Sequence, residues 1–172
     1  NVYTADQWFF GSGGTTGVAT VTQSTTVPNA SFVNSLKVDV TTADAAVAAG
    51  DFVYLSHFIE GLRCSRISYG TANAQTTTLS FWVRLDSATL TFPATLSGTF
   101  GNSAGNRYYP FSYTVTSSAT WQKISVTINA TPNKIIRFIF IVYYSVYFLS
   151  NYTFLMLQVF YVVFYFQYLN HY

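Results

Sequence analysis

The chain has 172 residues, of which 50% are hydrophobic, 19% are aromatic and only 8% are charged, and its formal net charge at pH 7 is +2. This length fits one domain, and so weak a positive charge excludes a strongly basic surface for nucleic acid. The single cysteine, Cys64, excludes both an intrachain disulfide and a zinc site built from cysteines. We expect no signal peptide, because the first residues form neither a charged nor an apolar region.

From residue 17 onward, short runs of Thr, Val, Phe and Tyr alternate with turn-forming residues, which predicts an all-β protein built as an antiparallel β-sandwich. Before residue 17, Gly11–Gly14 is typical of a flexible turn. Between the second and third predicted strands, Thr42–Ala49 favours one helical turn. The predicted strands are Gly17–Gln23, Asn34–Thr41, Asp51–Glu60, Thr76–Asp86, Thr95–Phe100, Tyr108–Thr116 and Trp121–Asn129.

Alternation along these strands predicts which side chains form the core, because successive residues of a strand face opposite sides of the sheet. In Thr76–Asp86, for example, apolar residues share one face, while Trp82 and Arg84 share the other. The predicted core consists of Leu36, Val38, Leu79, Phe81, Val83, Phe111, Tyr113, Ile124 and Val126.

The composition changes at Lys134, and this divides the chain into a sandwich domain at 1–134 and a hydrophobic tail at 135–172. Every Gly, Pro, Ala, Asp and Glu precedes residue 135, and in the last 38 residues 29 are Phe, Tyr, Ile, Val, Leu or Met. Three interpretations of the tail stay open: a membrane-associated segment, genuine core strands, or the product of a frameshift in an AT-rich gene.

The frameshift interpretation is favoured because the residues encoded by GC-rich codons vanish together. Eight tyrosines spread along the tail argue against a membrane span, whose tyrosines concentrate at the interfaces. The absence of turn residues argues against hairpins. Both faces of Phe138–Tyr143 are apolar, so we expect that the tail does not complete the sandwich in the native manner.

Six segments within residues 3–128 resemble jelly-roll domains of phage and prophage tail fibres, which are similar to carbohydrate-binding-module sandwiches of the galactose-binding-like fold. They are Tyr3–Trp8 (YTADQW), Ser35–Val38, Tyr54–Gly61, Tyr69–Ala74, Thr78–Arg84 and Tyr109–Thr114. The chain departs from the pattern in two ways: it lacks the strand that usually precedes YTADQW, and Ile135 onward replaces the usual closing strand. Trp8 is assigned to the core, because its segment is a structural opening in the similar domains.

The resemblance implies a domain that binds a carbohydrate or receptor without catalysis, on a virion tail fibre or another extracellular surface. It also implies a host-surface glycan as ligand and a homotrimeric parent fibre, with membrane contact only through a genuine tail. The alternative is a purely structural sandwich that spaces or trimerises a fibre. No residue pattern predicts a cofactor, a metal site or a nucleic-acid partner.

Sugar-binding sandwiches use exposed aromatic rings and planar polar side chains. Trp82 with Arg84 is the first candidate pair, Tyr108 with Arg107 is the second, and Glu60 is a further ligand-facing candidate. No catalytic group is predicted, since His57 shares a strand face with apolar residues and is expected to be a core or edge histidine.

Overall fold

The structure, a computed structural model, describes residues 2–5, 8–14, 17–44, 46, 48–49, 51–58, 67–68, 71–87, 91–101, 108–129, 139–143 and 159–167. These residues form eleven strands and no α-helix. The strands are β1 (Val2–Ala5), β2 (Trp8–Gly13), β3 (Val18–Ser24), β4 (Ser35–Thr42), β5 (Phe52–Phe58), β6 (Thr77–Asp86), β7 (Ala94–Gly101), β8 (Tyr108–Val115), β9 (Gln122–Ile128), β10 (Ile139–Tyr143) and β11 (Val159–Gln167).

The strands form two antiparallel sheets that enclose one core, so the predicted β-sandwich is confirmed. The six-stranded sheet has the order β1-β2-β5-β10-β7-β8, and the five-stranded sheet has the order β3-β4-β11-β6-β9. The seven strands predicted from the sequence correspond to β3 through β9, with ends that differ by one or two residues.

Alternate residues of both sheets fill the core, as the predicted periodicity requires. All nine predicted core residues are either buried or packed against the buried cluster. Phe81 of the five-stranded sheet meets Tyr113 of the six-stranded sheet edge to face, with ring centroids 5.1 Å apart. Burial raises the pKa of the Tyr113 hydroxyl far above its ordinary range, since the ionised phenolate loses its hydration there.

Two expectations for connecting segments were wrong. Gly11–Gly13 does not form a turn but the end of β2, paired with Phe52–Tyr54 of β5. The described part of Thr42–Ala49 forms no helical turn: Asp44 Oδ1 accepts a hydrogen bond from the Ala46 amide at 3.0 Å. Such a side-chain bond to a nearby amide stabilises a turn in competition with a helix.

The structure also differs from the expectation that the tail does not complete the sandwich. β10 pairs with β5 on one side and β7 on the other, and β11 pairs with β4 and β6. Both strands therefore lie in the interior of their sheets, where each pairs on both edges. No helix within the described ranges has the length and apolar character needed to span a bilayer.

Candidate functional site

Trp82 lies on β6, between β9 and β11, on the outer face of the five-stranded sheet. Its chain neighbours Phe81 and Val83 are only 1% and 0% exposed, so alternation places Trp82 on the side away from the core. The Trp82 side chain itself is half-buried. The sheet therefore supports an aromatic side chain on an interior strand, next to the edge strand β9, while part of that side chain stays accessible.

Arg84 follows Trp82 on the same face and is held by an ion pair along its own strand. Its Nε donates to Asp86 Oδ1 at 2.8 Å, and its Nη2 donates to Asp86 Oδ2 at 3.0 Å. This bidentate arrangement fixes the plane of the guanidinium group. The side chains of Arg84 and Asp86 stay 23% and 26% exposed, so the group remains accessible at the surface.

On the outer face of the five-stranded sheet, two ion pairs are arranged in two adjacent rows, one of cations and one of anions. On β4, Lys37 Nζ donates to Asp39 Oδ2 at 2.9 Å, which repeats the spacing of Arg84 and Asp86 on β6. The register places Tyr161 of β11 opposite both Lys37 and Arg84. The two cations therefore form one row across the sheet, and the two anions form the next row toward the ends of β4 and β6.

Lys123 of β9 is the residue that the sequence analysis did not connect with this site. The register sets it directly opposite Trp82, and its side chain is exposed. In the row beyond, the hydroxyl oxygens of Ser80 and Ser125 lie 3.0 Å apart. Trp82 thus has an exposed lysine opposite it and an exposed serine, Ser125, in the next row, a mixture that suits a polar ring-shaped ligand.

The other predicted site residues do not join this cluster. Tyr108 begins β8 at an edge of the six-stranded sheet, where it pairs with Gly101. It therefore lies in a different sheet from Trp82. Arg107 and Glu60 fall outside the described residues.

A second aromatic feature, which the sequence analysis missed, lies on the outer face of the six-stranded sheet. The Phe9 and Tyr54 rings stack at 5.8 Å with an interplanar angle of 29°. The Tyr54 ring also covers Gly11, its cross-strand partner, so closely that a Cβ there would lie 2.5 Å from Tyr54 Cζ. The sequence signal is a glycine that follows three aromatic residues in β2.

Trp8 of β2 and His57 of β5 both face the core. Their ring centroids are 4.6 Å apart, and Trp8 packs against the buried cluster, as predicted for Trp8.

Among the residues that the structure describes, no three His, Cys, Asp or Glu side chains come together in a way that could hold a metal ion.

Comparison with known proteins identifies the fold. No protein-family model matches the sequence, and no curated protein matches it. The tailspike protein 4 enzymatically active domain of bacteriophage CBA120 matches 91% of this chain with a TM-score of 0.57 at 15% identity, and the match covers 18% of that chain.

Two structures of the family 11 carbohydrate-binding module from Clostridium thermocellum also match. The module of the cellulosomal cellulase Lic26A-Cel5E covers 98% of this chain and 92% of its own, with a TM-score of 0.54 at 10% identity. The module in complex with a β-1,3-1,4-mixed-linked tetrasaccharide covers 91% and 85%, with a TM-score of 0.52 at 12% identity. At these identities the likeness concerns the fold: the chain is an all-β sandwich similar to carbohydrate-binding modules and to part of a phage tailspike.

Proposed function

We propose that this chain is a non-catalytic carbohydrate-binding domain of a viral tail fibre or another virion-surface protein, with a host-surface glycan as its ligand. The observation that carries the proposal is Trp82, supported by an interior strand of a sheet, with Arg84 two residues along the same strand and Lys123 opposite it in the register. The similar fold of a module bound to a tetrasaccharide supports the ligand class.

The energetics of one aromatic ring suit weak binding of a sugar. Stacking that removes about 50 Å² of apolar surface from water contributes roughly 1 kcal/mol. Planar donors such as the Arg84 guanidinium then hold hydroxyl groups in a fixed orientation. A repeated fibre subunit multiplies such weak contacts, and a homotrimeric parent fibre provides that multiplicity.

Non-catalytic binding is supported by the positions of the described carboxylates. Asp39 and Asp86 form ion pairs along their own strands. Asp51 accepts a hydrogen bond from the Ala48 amide at 2.6 Å, and Asp44 accepts one from Ala46. Each carboxylate thus has a local structural partner, whereas glycoside hydrolysis needs two positioned across a scissile bond.

The alternative function is a structural sandwich that spaces or trimerises a fibre and binds no ligand. It is favoured by the half-buried state of Trp82 and by the pairing of Arg84 with Asp86, both of which fit a face covered by a neighbouring subunit. In that arrangement the same surface stabilises the fibre and does not contact the host.

A glycan array with the full chain separates the two functions. We expect binding that Trp82→Ala abolishes, because the ring supplies the stacking surface. Tyr54→Ala, which removes an aromatic ring from the outer face of the other sheet, should leave binding intact, and Thr114→Ala is an exposed control. Circular dichroism of each variant checks that the fold is retained. Loss of binding in Tyr54→Ala alone would move the site to the six-stranded sheet, and no binding to any glycan would favour the structural function.

A further inference from the structure

The charges on the outer face of the five-stranded sheet distinguish Lys123 from its neighbours. Lys37 and Arg84 are each paired with an aspartate two residues further along the same strand. Lys123 is exposed, and it forms no ion pair with any other residue in the described part of the chain. Among the described residues, its ammonium group is therefore the cation of this face that has no anionic partner.

The spacing of the strands keeps the anions of the face away from Lys123. Residues two apart on a strand lie about 6.7 Å apart, so Asp86 is about 13 Å along the sheet from the Trp82–Lys123 row. Charges at the surface are screened over about 8 Å at physiological ionic strength. An anion that reaches Lys123 is therefore attracted by it and is only weakly repelled by Asp86.

The partner of Lys123 in the register is the aromatic residue of the proposed site. Residues directly opposite on antiparallel strands have Cβ atoms about 5 Å apart. A pyranose ring stacked on Trp82 therefore brings its substituents within reach of the Lys123 ammonium group. In the next row along the strands, the exposed Ser125 hydroxyl can bond a neutral ring substituent, while the buried Ser80 hydroxyl lies 3.0 Å from it.

We infer that the Trp82–Lys123 pair selects a sugar that carries a carboxylate, such as a uronic or sialic acid. This inference rests on the proposed function and names its ligand class. Trp82 supplies the stacking surface, and Lys123 forms an ion pair with the carboxylate of the sugar unit that stacks on Trp82. A neutral sugar of the same shape keeps the stacking contact and loses the ion pair.

The test is a titration of the full chain with oligogalacturonate, a hyaluronan tetrasaccharide and sialyllactose, each beside its methyl ester. The ester keeps the stereochemistry of the sugar and removes its charge. We expect at least one acid to bind about three- to fivefold more tightly than its ester, which is the upper part of the range of an exposed ion pair. Higher salt should reduce this ratio toward one.

Variants identify the residue responsible. Lys123→Gln should bring the ratio of acid to ester affinity to about one, and Lys123→Arg should retain the preference for the acid. Lys37→Gln is the matched control, because it removes a cation of the same face that already has an anionic partner. A preference for the acid that survives Lys123→Gln would overturn the inference.

The experiment also separates this inference from the proposed function. Equal binding of acids and esters, with loss of both in Trp82→Ala, would overturn the ligand class and support the glycan-binding function. No binding of any acid, any ester or the mixed-linked β-glucan tetrasaccharide would overturn the proposed function itself.

Discussion

Two tyrosines on the core side of β8 differ in what surrounds their hydroxyl groups. Tyr109 donates a hydrogen bond to the Thr127 carbonyl at 3.2 Å and so links the two sheets at their edge. The Tyr113 hydroxyl is buried and has no hydrogen-bond partner among the described residues. A buried polar group without a partner costs stability, whereas a satisfied one is close to neutral or favourable.

We therefore expect Tyr113→Phe to raise the free energy of unfolding by about 1 kcal/mol, because it removes the unpartnered hydroxyl and keeps the ring. Tyr109→Phe is the matched control and should lower the free energy of unfolding by about 0.5 kcal/mol. Urea denaturation of the full chain measures both. A loss of stability in Tyr113→Phe would show that its hydroxyl has a partner in solution.

The same residue predicts how stability depends on pH. Burial raises the pKa of Tyr113 in the folded chain above its value in the unfolded chain. The unfolded tyrosine ionises near pH 10 while the folded one stays neutral, so ionisation favours the unfolded chain and stability is lost progressively above about pH 10. We expect the melting temperature of the native chain to fall more steeply between pH 9.5 and 11 than that of Tyr113→Phe. Parallel curves would contradict the burial of this hydroxyl.

The contact between Gly11 and Tyr54 can be measured by a double-mutant cycle. In Gly11→Ala the new Cβ displaces the Tyr54 ring, and this cost opposes the gain of about 0.5–1 kcal/mol from replacing a strand glycine. The single variant should therefore have nearly native stability. In a Tyr54→Ala background, where the ring is absent, Gly11→Ala should stabilise the chain by that 0.5–1 kcal/mol. Equal effects in both backgrounds would exclude the contact.

At the scale of the strands, the sequence predicts β3 to β9 because one face of each meets the core and the other carries polar groups. The sequence does not predict β2, because the glycines of this strand signal a turn. A glycine is needed at position 11 because the Tyr54 ring of β5 occupies the space of a side chain there. The sequence also does not reveal that Lys123 lies opposite Trp82, because the register between β6 and β9 depends on pairing across the sheet. Contacts between strands are the part that composition and periodicity leave open.

The tail shows why the apolar pattern was misleading. On β11, Phe160 pairs with the core residues Val38 and Leu85, whereas Tyr161 pairs with Lys37 and Arg84. Tyrosine has an apolar ring and a polar hydroxyl, so it serves on an outer face as well as in a core. Counting every tyrosine as apolar hides an alternation that the register shows. The frameshift interpretation concerns the gene and stays a prediction, which the nucleotide sequence around codon 134 tests.

Truncation after residue 134 tests the role of the two late strands. Without β10 and β11, β5 loses the strand that joins it to β7, and β4 loses the strand that joins it to β6. We expect the truncated chain to lose cooperative thermal unfolding, because both sheets are divided and their apolar faces are opened. A truncated chain that melts like the full chain would show that residues 135–172 do not belong to the sandwich.

At the scale of the whole molecule, the sheets are held together by residues far apart in the chain. β11 pairs with β4, which places Phe160 opposite Val38 in the register, and β5 is joined to β7 through β10. The entropy of closing such long loops must be lost before the contacts that compensate for it form.

We therefore expect folding in milliseconds to seconds, the range of all-β sandwiches, and not in microseconds. Stopped-flow refolding of the full chain, with fluorescence from its three tryptophans, measures this rate. Val163→Ala in β11 serves as a probe of the folding nucleus, and Thr20→Ala in the edge strand β3 is the control. Refolding in microseconds would contradict the non-local pairing.

The interior position of β11 also has a consequence for synthesis on the ribosome. Asp86 ends β6, and its partner Val159 begins β11, 73 residues later (159 − 86). At 5–20 residues per second, β6 waits roughly 4–15 s for the strand that joins it to β4, and β4, which is made earlier, waits longer. During that time each nascent chain carries open strand edges that can pair with those of a neighbouring chain on the same messenger. We therefore expect chaperone protection or wide spacing of ribosomes to favour productive assembly of this sandwich until β11 emerges.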